Sequence, residues 1–164
     1  MFVKKSLIIL ISGFILFSCG GGGNNNYGGG TGCVAAAANL CVKVINSKYS
    51  IDNGDGNGFV QQKSLSLVAG STYTFDLSDS SNASHPFNIG TSSEGGAYTT
   101  GFTSNGTQGS ASATKVFTPA SGASGSPASL YYYCSSHSGM GGSISVSGGQ
   151  SPSDRIPEKI PVVE

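Results

Sequence analysis

Short runs in which apolar and polar residues alternate recur between residues 41 and 146, and they constrain the fold more than any other feature. In the run 72–77, for example, every second residue is apolar, namely Tyr73, Phe75 and Leu77. This period of two is typical of half-buried β-strands. Glycine- and serine-rich turns separate about seven such runs, and this spacing predicts an all-β sandwich or barrel.

The strand signals are uneven along the chain. One strand is predicted through residues 42–51 with a break near Asn46-Ser47, and others near 64–68, 72–77, 87–89, 115–118, 130–134 and 142–146. Residues 91–113 are polar and glycine-rich, and no element is assigned to them. Residues 53–58 are interpreted as a glycine turn. The alternative is a calcium loop, but Ser64 occupies the position where such a loop needs a bidentate glutamate.

The first residues carry the features of an export signal. Lys4 and Lys5 precede an apolar run of 11 residues, 7–17, whereas a membrane-spanning helix needs about 20. Residues 1–18 are therefore predicted to be a signal peptide. The sequence Leu16-Phe17-Ser18-Cys19-Gly20 resembles the lipobox of bacterial lipoproteins, and the resemblance implies that Cys19 is acylated. An ordinary signal peptide with a chance cysteine is the alternative.

The rest of the chain divides into a tether, a domain and a tail. Residues 19–32 contain the lipidated cysteine and a Gly/Asn-rich stretch that is predicted to be a flexible tether. Residues 33–147 form the predicted domain, and residues 148–164, which contain three prolines, form a C-terminal tail. We expect a cell-envelope location with lipid anchoring. The outer membrane is favoured because Gly20, and not aspartate, follows Cys19.

The four cysteines have different predicted roles. Cys33 and Cys41 lie close together in a chain that is predicted to be exported, so a disulfide is the default expectation. The residues between them must then bend back, because disulfide-bonded Cα atoms lie within about 7 Å. Cys19 is assigned to the lipid, and Cys134 is left without a partner. A lone exported thiol is prone to oxidation unless something occupies it.

Four residues of types that bind metals fall on a single candidate site. The chain contains two histidines, His85 and His137, and Met140 is its only methionine besides Met1. Cys134, His137 and Met140 follow one another at intervals of three residues, at the end of a predicted strand and in a glycine-containing loop. Two imidazoles, one thiolate and a weak thioether form the ligand set that suits copper in electron transfer. Structural zinc sites, by comparison, usually have more than one thiolate or closed ligand pairs.

These motifs resemble those of the cupredoxins, the type 1 blue copper proteins of the plastocyanin and amicyanin kind. The resemblance covers about 105 residues and rests on two segments, Cys134-x-x-His137-x-x-Met140 and His85-x-Phe87. It implies a Greek-key β-sandwich of about seven to eight strands. It also implies that His85, Cys134 and His137 are equatorial ligands, that Met140 is the axial ligand, and that His137 is the partly exposed one.

Pro86 departs from the pattern of this family. Many members carry asparagine or serine after the first histidine, and that residue helps to hydrogen-bond the thiolate. Proline has no N–H group, so we expect fewer hydrogen bonds to sulfur and a lower reduction potential.

The predicted function is to bind one copper ion and to shuttle single electrons between protein redox partners. The alternatives are a copper-buffering or copper-delivery lipoprotein and a structural or partner-binding module. A complete ligand set leaves no open position for a substrate, so no enzymatic activity is predicted. With Lys4 and Lys5 removed, six basic and eight acidic side chains remain. This balance argues against nucleic acid as a partner, and a monomer is expected.

Overall fold

The computed structural model describes residues 32–122 and 124–149. The predicted signal peptide, the lipid on Cys19, the tether except Gly32, and the tail except Gly148 and Gly149 lie outside the described residues. In the part of the chain that is described, no helix combines the length and the apolar character needed to cross a membrane.

The described residues form an all-β fold of eleven strands in two mixed sheets. The strands are β1 Asn39–Ile45, β2 Lys48–Asp52, β3 Val60–Gln61, β4 Leu65–Val68, β5 Tyr73–Asp76, β6 Phe87–Ser92, β7 Gly95–Ala97, β8 Phe102–Asn105, β9 Thr114–Phe117, β10 Ser129–Cys134 and β11 Gly142–Ser147. The six-stranded sheet has the order β3-β2-β1-β5-β9-β8, and the five-stranded sheet has the order β4-β11-β10-β6-β7. The predicted all-β sandwich is confirmed, and the Greek-key arrangement stays a prediction.

The structure contains more strands than the sequence pattern predicted. The break near Asn46-Ser47 separates two strands, because both residues have positive φ (50° and 58°) and form a two-residue turn. β1 and β2 therefore pair as an antiparallel hairpin, with Ile45 opposite Lys48. The unassigned region 91–113 contains β7 and β8. β7 is Gly-Gly-Ala and β8 is Phe-Thr-Ser-Asn, and their mostly exposed residues lack the alternation that identifies a half-buried strand.

The core lies between the two sheets and determines where the candidate site can form. Its largest fully buried side chains include Tyr49 and Phe75 from the six-stranded sheet and Phe87 and Tyr132 from the five-stranded sheet. The Phe87 ring stacks on Tyr132, with ring centroids 5.6 Å apart and an interplanar angle of 12°. Phe87 also contacts Tyr49 edge-on at 5.1 Å. This aromatic cluster joins the sheets directly beneath the end of β10.

The glycine-rich segment between β2 and β3 contains one acidic residue, Asp55, whose side chain is bound within the protein. The Asp55 carboxylate forms an ion pair with Lys63 at 2.6 Å and accepts a hydrogen bond from the Asn57 N–H. The glycines at positions 54, 56 and 58 all have positive φ. These contacts favour the interpretation of the segment as a turn over its interpretation as a calcium loop.

A disulfide joins Cys33 to Cys41 at the entrance of the domain, with the two Cα atoms 5.7 Å apart. The required bend is made at residues 36–39, where Ala36 and Asn39 exchange backbone hydrogen bonds of 2.9 and 3.0 Å. Cys41 lies on β1 and is 2% exposed. The bond therefore ties the chain before β1 to the core.

Replacing both Cys33 and Cys41 with serine should lower the free energy of unfolding by roughly 2–3 kcal/mol, because a short covalent loop no longer restricts the unfolded chain. Urea denaturation of the variant and of the wild-type protein measures this difference. Wild-type protein unfolded with a reductant present should match the variant. A loss below about 0.5 kcal/mol would show that the bond does not stabilise the domain.

Candidate metal centre

The Cys134 side chain lies at the end of the five-stranded sheet and points into the core. Cys134 is the last residue of β10, is 4% exposed and is opposite Phe87 in the antiparallel pair β6–β10. Leu130 and Tyr132, which share its face at a period of two, are also buried. The thiol is free of any disulfide.

His85 lies in the turn that leads into β6, two residues before the strand begins. A period of two along His85-x-Phe87-x-Ile89 would place His85 on the strand, but β6 begins at Phe87, and Pro86 offers no N–H group to a ladder. The His85 N–H instead donates to the Asn82 carbonyl at 3.0 Å, just after a turn of 3₁₀ helix at Ser80–Asn82. Asn82 is fully buried, and its side-chain amide donates to the Val42 carbonyl at 2.8 Å. The turn that carries His85 is thereby fixed to β1.

Gln108 holds the segment on both sides of Pro86. Its amide nitrogen donates to the His85 carbonyl at 3.2 Å. Its amide oxygen accepts a hydrogen bond from the Phe87 N–H at 2.9 Å. The Gln108 side chain thus forms hydrogen bonds with the backbone on both sides of Pro86, which has no N–H group to pair with a neighbouring strand.

The loop from Ser135 to Gly141 carries His137 and Met140 and is fixed at Gly139. The Gly139 N–H donates to the Glu94 carboxylate at 2.8 Å, and its carbonyl accepts hydrogen bonds from Lys48 and from Gln62. Gln62 also donates to the Gly141 carbonyl at 2.8 Å. Three side chains from three separate segments therefore hold a loop that lacks regular secondary structure.

The three glycines of this loop region have two different roles. Of Gly139, Gly141 and Gly142, only Gly139 adopts a positive φ, at 67°. Gly141 and Gly142 are needed because the chain at these positions lies very close to Tyr132. A Cβ atom on Gly141 would lie 1.7 Å from the Tyr132 carbonyl oxygen, and one on Gly142 would lie 2.6 Å from the Tyr132 hydroxyl.

The side chains of His85, Cys134 and His137 converge on one point. The Cys134 sulfur lies 3.6 Å from Nδ1 of His137 and 4.0 Å from Nδ1 of His85, and the two Nδ1 atoms are 3.1 Å apart. Separations of this size arise when nitrogen and sulfur donors lie about 2.0–2.3 Å from a common ion. His85, Cys134 and His137 could therefore hold a metal ion.

Met140 is buried in the core. It is 2% exposed and belongs to the same buried cluster as Cys134. Its carbonyl accepts a hydrogen bond from the Tyr49 N–H at 2.9 Å. The fourth predicted ligand is thus fixed by its backbone to β2, a strand of the opposite sheet.

The surroundings of the site favour the neutral form of the His85 imidazole, which is the form that binds metal. Partial burial lowers the pKa of His85, and the charge of the neighbouring His137 lowers it further. Because a metal ion binds the neutral imidazole, a lowered pKa reduces competition from protons at neutral pH.

Sequence reasoning missed the residues that hold the donors in place. Tyr49, Gln108, Glu94 and Lys48 come from a strand or loops far from the ligands in sequence, and no local motif marks them. The only sequence signal for such a residue was a polar side chain, such as Gln108, in a region with few strand signals.

Comparison with known proteins identified no relative. No family model, curated protein or solved structure matches the chain.

Proposed function

We propose that this protein binds one copper ion with His85, Cys134, His137 and Met140 and transfers single electrons between protein partners. The observation that carries the proposal is the convergence of one buried thiol and two imidazole Nδ1 atoms within 4.8 Å of one another. All four proposed ligands belong to this chain.

The chemistry of the donors favours copper over zinc. A single thiolate with two imidazoles and a thioether combines soft and borderline donors, and this combination suits both oxidation states of copper. Zinc in structural sites more often has several thiolates or a closed tetrahedral set of stronger ligands. A copper ion in this site would supply a reversible one-electron couple.

The protein around the donors is suited to such a couple because it restrains their movement. Gly139 is bound through both its N–H and its carbonyl, and Gln108 binds both sides of the His85-Pro86-Phe87 segment. Donors that are fixed by the fold change position little between oxidation states. His137 is exposed, whereas Cys134 is buried, so the His137 imidazole is the donor that a partner protein can approach.

Voltammetry of the copper-loaded protein separates electron transfer from copper delivery. For electron transfer we expect a reversible one-electron wave and no loss of copper over repeated cycles. For delivery we expect rapid transfer of Cu(I) to a chelator or to a partner upon reduction. Copper release in each reductive cycle would contradict the electron-transfer proposal, and a protein that takes up no copper would leave only a structural role.

We further propose that the protein is a cell-envelope lipoprotein whose lipid is attached to Cys19. The lipobox-like sequence around this residue supports the proposal. The intact mass of the protein extracted from membranes tests it, since the acylated form is heavier than the processed polypeptide, and an unmodified Cys19 would contradict it.

A further inference from the structure

Tyr49 contacts the ligand-bearing segments through both its backbone and its side chain. It lies on β2 in the six-stranded sheet and is fully buried. Its N–H donates to the Met140 carbonyl at 2.9 Å. Its hydroxyl donates to the His85 carbonyl at 2.6 Å. One residue of the opposite sheet therefore joins two segments that carry predicted ligands.

Tyr49 also lies near the strand position of Cys134, since its ring contacts Phe87 edge-on at 5.1 Å and Phe87 is opposite Cys134 in the β6–β10 pair. Burial raises the pKa of Tyr49 well above its usual range, and the charge of the Cys134 thiolate and its capacity to accept a hydrogen bond raise it further. The phenol therefore stays protonated, and its one hydrogen is donated to the His85 carbonyl. This matters because Pro86, which follows His85, has no N–H group to offer.

We propose that Tyr49 is a positioning residue that fixes His85 and Met140 around Cys134 and biases the site toward reduced copper. The proposal rests on the proposed copper function. Groups that orient ligands from the next layer tune both metal affinity and potential. Fixed donors hinder the rearrangement that stabilises Cu(II).

The Tyr49→Phe variant tests the proposal because it removes only the hydroxyl and keeps the ring and the N–H group. The potential of the copper-loaded variant should fall. We expect a shift of about tenfold toward Cu(II), which corresponds to about 59 mV for a one-electron couple. Its visible spectrum should change at the same time, since a loosened site alters the overlap between sulfur and copper.

Tyr132→Phe is the matched control. Tyr132 is equally buried, and its hydroxyl also donates to a backbone carbonyl, that of Lys63 at 2.9 Å. Although Tyr132 is on the same strand as Cys134, its hydroxyl bonds to the Lys63 carbonyl, and Lys63 is neither a proposed ligand nor adjacent to one. Tyr132→Phe should therefore lower the thermal stability much as Tyr49→Phe does, while it leaves the potential and the spectrum unchanged.

A second measurement does not depend on redox chemistry. Competition with a chelator should show that Tyr49→Phe weakens Zn(II) or Cu(I) binding by about tenfold, whereas Tyr132→Phe does not. An unchanged potential and an unchanged affinity in Tyr49→Phe would overturn the role of Tyr49 and leave the copper function intact. A wild-type protein that binds metal without a reversible couple would refute electron transfer. The metal affinity of Tyr49→Phe, measured by chelator competition, would still decide the role of Tyr49. A wild-type protein that binds no metal would refute both.

Discussion

Cys134→Ser should abolish the intense visible absorption of the copper-loaded protein and weaken copper binding by more than about 100-fold. A hydroxyl is a hard and weakly acidic donor, so it cannot replace the soft thiolate that stabilises Cu(I). Loss of a group that merely orients a ligand typically costs 10- to 100-fold in affinity, and the loss of a direct donor should exceed this. Optical titration with Cu(II) and chelator competition for Cu(I) measure the two effects.

Ser136→Ala provides the control for this experiment. Ser136 is exposed and lies two residues after Cys134. Like Cys134→Ser, the Ser136→Ala substitution alters a single heavy atom. This variant should keep the wild-type spectrum and affinity. A Cys134→Ser variant that retains the absorption band would show that the thiol is not a ligand.

Gly141→Ala should lower the free energy of unfolding by about 3 kcal/mol or more. The added Cβ would lie 1.7 Å from the Tyr132 carbonyl oxygen and 2.9 Å from the Cα of Tyr133. Because both atoms belong to the backbone of β10, no side-chain rotation relieves the overlap. The start of β11 would have to move, and the loop with His137 and Met140 would move with it. Chemical denaturation followed by circular dichroism measures the loss, and copper uptake should fall in parallel.

Gly95→Ala is the matched control, because the structure has space for a Cβ atom at this position. The closest atom to a Cβ on Gly95 is the Ser92 hydroxyl oxygen at 4.0 Å, so this variant should change stability by less than about 0.5 kcal/mol. Equal stability of the Gly141→Ala and wild-type proteins would mean that the packing of the loop against β10 is not as close as described.

The sequence was sufficient to predict the fold class because several buried strands show a period of two. Tyr73 and Phe75 on β5, and Leu130 and Tyr132 on β10, are buried as their alternation indicated. Strands with small or exposed residues could not be predicted in this way. β7, with the sequence Gly-Gly-Ala, is a strand because it pairs with β6, and its own residues do not encode this.

The candidate site was predictable where its residues are chemically distinctive. His85, Cys134 and His137 are rare residue types in this chain, and the structure brings them together. The position of His85 in a turn was not predictable from a period of two, since it depends on the contact with Asn82 and on Gln108. The contacts of Tyr49 depend on the packing of one sheet against the other, which no local pattern reveals.

The visible and electron paramagnetic resonance spectra of the full-length protein, titrated with Cu(II), test the central claim most directly. The claim predicts an intense blue thiolate-to-copper band that saturates at one copper per chain and that ascorbate and ferricyanide remove and restore reversibly. A colourless or weakly coloured protein at saturation, or a band that does not return on reoxidation, would contradict it.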